Sequence, residues 1–197
     1  MALGRIASAV LAFIVCAQNL ANAQETPLPQ FKVGDTWQFK TQTGTSTRTV
    51  KSVQDDGIVV MNVMTVASGR NADFDLRLTS NLDPLNGQYF YNGDPITLTF
   101  DPPACWMAPA PWIVGKEWSC DYNSTGYQGR RYQYHISGKL DGIEKVTVPA
   151  GTFEALKITL NFGSKWTYWY APAVRNYVKS DTGNPLSSFE LEKYSLK

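Results

Sequence analysis

The sequence predicts an all-β protein: a single domain on a strongly curved antiparallel sheet, or open half-barrel, of roughly ten to twelve strands. Three observations lead there. Apolar residues recur with period two in segment after segment, the alternation of strands with one packed and one wet face. Gly, Asn, Asp and Pro interrupt these segments about every eight to twelve residues. No stretch beyond residue 23 carries the periodicity of an amphipathic helix.

The first 23 residues read as a signal peptide rather than as part of the fold. Arg5 gives a positive start, "IASAVLAFIVCAQNL" is an apolar run too short to span a membrane, and "ANA" ends in the small-x-small pattern of a cleavage site after Ala23. Cys16 sits in "FIVC", without the small residue that lipidation needs before it. The expected product is exported, periplasmic or secreted, with 174 residues from Gln24 onward. That length supports one domain with a sizeable core. It carries 17 basic and 17 acidic side chains. Zero net charge without a basic block disfavours nucleic acid and anionic membrane surfaces. No later apolar run approaches a membrane span.

"TWQFKTQ" puts Trp37 and Phe39 on one face. "GIVVMNVMTV" is continuously apolar, as a strand buried on both sides would be. "DFDLRLTS" groups Phe74, Leu76 and Leu78 against Asp73, Asp75 and Arg77. Residues 101–118 form a Pro- and Trp-rich loop, because Pro103, Pro109 and Pro111 each withhold a ladder donor. Cys105 and Cys120, in an exported chain, are expected to form one disulfide that anchors this loop. A metal site is not expected, since both cysteines lack nearby partners and His135 is the sole histidine.

"RRYQYHIS" aligns Tyr132, Tyr134 and Ile136 and turns His135 to the polar face. In "VTVPAGTFEALKITL" a strand ends before Pro149, a tight turn follows, and Gly151 can take a positive φ before the ladder resumes at Thr152. Leu156, Ile158, Leu160 and Phe162 then share a face, and "GSK" turns the chain into "WTYWYAP". This is a meander, and Pro149 and Gly151 are structural. "VGDTW" at Val33–Trp37 returns as "VGKEW" at Val114–Trp118, which reads as one strand-entry device used twice.

"FDPPACWMAPAPWIVGKEWSC", "EKVTVPAGTFEALKI", "WTYWYAPAVRNYVKSD" and "SFELEKYSL" follow one another in order. The set resembles an uncharacterised bacterial exported β-rich family with a Val-Pro-Ala-Gly-Thr-Phe turn and a Trp-Tyr-Ala-Pro-Gly-Val turn. The resemblance covers about Asp101 to Lys197, and Ala173 and Arg175 stand where that family tends to have glycines, which implies a different turn there. In architecture the family is similar to LolA-like envelope lipoprotein carriers, whose half-barrel holds acyl chains. It implies no catalytic residues.

A curved sheet lined by aromatic rings suits an apolar ligand. The candidate ligand-binding residues are Trp106, Met107 and Trp112 in the central loop, and Trp166, Tyr168 and Tyr170 on one face of the "WTYWYAP" strand. The same rings would equally serve as sheet core. No nucleophile sits with a base, no phosphate cradle occurs, and no cofactor is implied. The expectation is therefore a non-enzymatic envelope protein holding an apolar, lipid-like molecule. The alternatives are an interaction protein that pairs with another envelope component and, behind it, a carbohydrate-binding module with Asp101 or Asp121 beside a ring.

Overall fold

The computed structural model describes residues 25–67, 70–91 and 93–197. The expected signal peptide, with Cys16, lies outside them. The first five strands are β1 (Glu25–Thr26), β2 (Thr36–Thr41), β3 (Gly44–Val53), β4 (Val59–Ala67) and β5 (Arg70–Leu78). Then come β6 (Asn86–Tyr91), β7 (Asp94–Asp101), β8 (Trp112–Ile113), β9 (Glu117–Thr125) and β10 (Arg131–Val148). The last four are β11 (Gly151–Asn161), β12 (Lys165–Ala171), β13 (Asn176–Asp181) and β14 (Phe189–Ser195). Among the described residues there is no α-helix.

Twelve strands form one antiparallel sheet in the order β5-β4-β3-β2-β14-β13-β12-β11-β10-β9-β7-β6. Register slips at Val50/Ser52, Leu140/Gly142, Trp169/Tyr170 and Leu191/Lys193 mark bulges, which sharpen twist and bend a sheet. The sheet curls until its two edges meet, a nearly closed barrel. Across that seam Leu85 N donates to Arg77 O, while the Asn86 amide accepts from Arg77 N and donates to Asp75 O.

Strand faces follow the alternation. Trp37, Phe39, Leu156, Ile158 and Leu160 are buried in one core. β4 differs from its sequence reading. Val59, Met61 and Val63 point inward, but Met64 and Val66 are 49% and 52% exposed. A single sheet layer has only one covered face, so the apolar run cannot be buried on both sides.

The β10–β11 hairpin turns over Pro149 and Ala150, with Val148 opposite Gly151 at φ +134°. The two strand-entry pentapeptides build the same local pattern. Gly34 N donates to Val50 O and Val50 N to Asp35 O; likewise Gly115 N donates to Leu140 O and Leu140 N to Lys116 O.

The Pro-rich loop does more than cross the barrel. Its Trp112–Ile113 segment pairs with β1, and Ala104, Met107, Ala108 and Trp112 are buried. A disulfide ties Cys105 to Cys120 on β9, with Cα atoms 6.6 Å apart. Trp118 Nε1 donates to Cys105 O at 3.0 Å, and Lys116 Nζ binds the carbonyls of Pro109 and Pro111.

Candidate functional site

The loop fills one part of the barrel interior and leaves another part open. There, beside the seam, lies a cavity of about 430 Å³. Alternation on β5 supplies Phe74, Leu76 and Leu78 to its wall; β9 and β10 add Tyr122 and Tyr134, whose rings stack at 5.2 Å. Trp166 closes the wall from β12, edge-on to Phe162 at 4.3 Å and to Trp106 at 6.4 Å.

Of the six residues named from the sequence, Trp106 and Trp166 line this cavity. Met107, Trp112, Tyr168 and Tyr170 do not line it and are packed in the core. The local reasons are plain. Met107 N donates to the Asp83 carboxylate, and Trp112 is held by the β1–β8 pairing, with Nε1 donating to Asn81 Oδ1 and Ala108 O. The Tyr170 hydroxyl donates to Pro27 O. A buried Trp or Tyr whose polar handle finds a protein partner has the signature of core.

Trp106 lacks that signature. Its Nε1 lies near the Tyr122 hydroxyl without reaching hydrogen-bond geometry. It is one of five buried polar atoms that line the cavity without a protein partner; the others are Arg48 Nε, Gln88 Oε1, Ser124 Oγ and Asn176 Nδ2. Ser124 and Asn176 are each 1% exposed. Buried polar groups are paired in more than about nine cases in ten, so five around one apolar space are notable.

Arg48 is the charged residue among the described residues of the wall. It enters from β3, its Cζ 4.8 Å from the Phe39 ring centre and 5.4 Å from that of Phe189. Burial pulls its pKa below the ordinary value, while the neighbouring hydroxyls of Tyr168 and Tyr177 act the other way. Burial in turn holds both tyrosines in the neutral phenol form by raising their pKa. The sequence reading missed Arg48, Ser124, Asn176 and Gln88. The available signal for Arg48 was its parity with Val50, which puts a cation on the inward face of β3.

Other sequence candidates lie elsewhere. His135 Nδ1 and Asp121 Oδ1 are 2.9 Å apart on the outer face of β9 and β10, both mostly exposed. Asp73 accepts from Asn62 Nδ2, and Asp75 pairs with Lys51 at 2.8 Å, so this carboxylate pair is engaged on the outer surface. Arg175 takes φ +57°, the left-handed conformation glycine favours, so the turn retains a glycine-type backbone.

No family profile matches the chain, and no curated protein matches it in sequence. Two solved structures are similar to it in fold. One is a candidate lipoprotein from Parabacteroides distasonis, 16% identical, with a TM-score of 0.47 over 85% of this chain and 97% of that one. The other is a candidate exported protein with a YmcC-like fold from Bacteroides fragilis, 15% identical, with a TM-score of 0.48 over 85% of this chain and 98% of that one. Neither is named as a LolA-type carrier.

Proposed function

We propose that this protein is an exported, non-enzymatic envelope protein that holds an apolar, lipid-like ligand inside its barrel. The observation that carries this reading is the cavity of about 430 Å³ walled by Phe74, Leu76, Tyr134 and Trp166. Its size falls within the range of small-molecule sites, about 300–1,000 Å³, and its apolar wall with a few convergent polar groups is their usual composition. Native mass spectrometry of protein purified gently from its host envelope tests the reading. A stoichiometric, solvent-extractable apolar molecule is expected, and a bare mass under these conditions overturns it.

The second reading, an interaction protein, draws on the outer face of β4. Met64 and Val66 lie half exposed on that face two residues apart. Crosslinking from these two positions to one envelope protein, together with a bare mass, would favour it.

A further inference from the structure

We propose that the molecule held in this cavity is a single-chain amphiphile with a carboxylate head group, and that Arg48 receives the head. This inference rests on the ligand-binding reading above and specifies its chemistry.

The described residues contain all 17 acidic side chains of the chain, and none forms an ion pair with Arg48. The guanidinium instead lies against Phe39 and Phe189, and its Nε has neither solvent nor a protein acceptor. An arginine keeps its charge in such a partly buried setting, and a charge drawn out of water without a counter-charge is costly. A protein that retains one at the wall of a cavity gains from a ligand that brings the counter-charge.

Geometry and stoichiometry narrow the class. The planar guanidinium presents parallel N–H donors that match the two oxygens of a carboxylate. Arg48 is the one cation among the described lining residues, and no acid accompanies it. One positive charge balances a monoanionic carboxylate, whereas a phosphate dianion would remain half unpaired. Tyr177, which also lines the cavity and whose hydroxyl interacts with Arg48, supplies a neutral donor beside it. The rest of the wall is mainly aromatic and aliphatic, with Asn86, Gln88, Ser124 and Asn176 as its neutral polar groups, and suits a hydrocarbon tail. The volume, about 430 Å³, equals roughly fourteen waters at ~30 Å³ each. A methylene is about as large as a water, so the space takes one alkyl chain.

The test is isothermal titration of the full mature protein with palmitic acid and methyl palmitate, both below their aggregation thresholds at pH 8. The acid is expected to bind at least ten-fold more tightly than the ester. In Arg48→Gln this preference should vanish. Arg48→Lys should restore part of the preference. If acid and ester bind alike to the unmodified protein, the carboxylate assignment is overturned and the apolar cavity stands, its unpaired polar atoms being served by water. If neither binds, the ligand-binding reading itself falls. Because acid and ester are compared on the unmodified protein, the comparison decides the matter even when Arg48→Gln does not fold.

Discussion

Asp35 and Arg175, 140 residues apart in the chain, form an ion pair at 2.9 Å in which the carboxylate has no solvent exposure. Asp35 also accepts from the backbone N–H groups of Lys32 and Lys197. One side chain thus fastens the entry of β2, the turn before β13 and the residues after β14. The pair also accounts for a non-glycine residue in the left-handed region at position 175. Its guanidinium offsets the backbone cost.

Removing the cation should therefore do more harm than the strain relieved. Arg175→Ala leaves a buried carboxylate unpaired and is expected to cost about 3 kcal/mol. Arg175→Gly should be milder by about 1 kcal/mol, since glycine adopts positive φ freely. Urea denaturation of the two variants checks both the magnitude and the order.

Asp83 should make stability fall with rising pH. Burial raises its pKa from 3.8 to about 6, against the opposing hydrogen bonds from Asn81 and the Met107 backbone. Between those values the folded protein holds a proton that the unfolded chain has released. The contribution is complete below the unfolded value and is lost as pH rises through 6, on the order of 3 kcal/mol in all. Urea midpoints from pH 3.5 to 7 should show a decline that Asp83→Asn flattens; equal slopes in the two proteins would contradict the assignment.

Gly138 admits no side chain. It sits opposite Trp118 on the β9–β10 ladder, and a Cβ there would fall 2.3 Å from the indole ring. Trp118 cannot simply swing aside, because Nε1 donates to Cys105 O. Gly138→Ala is expected to destabilise by about 2 kcal/mol, within the usual cost of overpacking, with a shift in tryptophan emission. A variant with unchanged stability and spectrum would show that the indole relocates freely.

Gly151→Val should act through the turn alone. At φ +134° a β-branched residue is strained, and an expected loss of about 1–3 kcal/mol follows. Ligand affinity at matched folded fraction should be unchanged, and a separate loss of binding would make the hairpin a site.

The disulfide closes 15 residues, a loop worth about 3 kcal/mol in the chain-entropy account. Replacing Cys105 and Cys120 with Ala should lower the unfolding free energy by about that amount. The loss should disappear when the unmodified protein is compared under reducing conditions.

The sheet was legible because period-two alternation is local. Trp37 with Phe39, and Leu156 with Ile158 and Leu160, were assignable to a buried face from their own segments. The cavity was legible only in part. Trp106 and Trp166 read as aromatic candidates, but so did Trp112 and Tyr170, and composition cannot separate a ring that lines an open space from one locked in the core. For Trp112 and Tyr170 that difference depends on Asn81 and Pro27, both distant in sequence from the rings they serve. Arg48 was hidden for a related reason. Its strand reads as polar, "GTSTRTVKSV", and only the burial of Val50 fixes which parity faces inward. Met64 and Val66 misled in the opposite sense, since a continuous apolar run carries no information about whether a second layer covers it.

The place of β14 in the sheet has a consequence for the timing of assembly. Consecutive strands are neighbours almost throughout, yet the interior of the sheet joins β2 to β14, with Gln38 and Glu192 bonded across 154 residues. Two meanders can zip from nearby contacts, but Trp37 and Phe39 gain the cover of Leu191 only when the final strand arrives. Long-range closure of this kind pays its loop entropy before it is rewarded and slows folding. A chain emerging N-terminus first thus carries Trp37 and Phe39 without that cover until Phe189–Ser195 is free, and its vulnerable interval is set by the intervening length rather than by local propensity. Truncation before Phe189 should leave strand content without a cooperative unfolding transition.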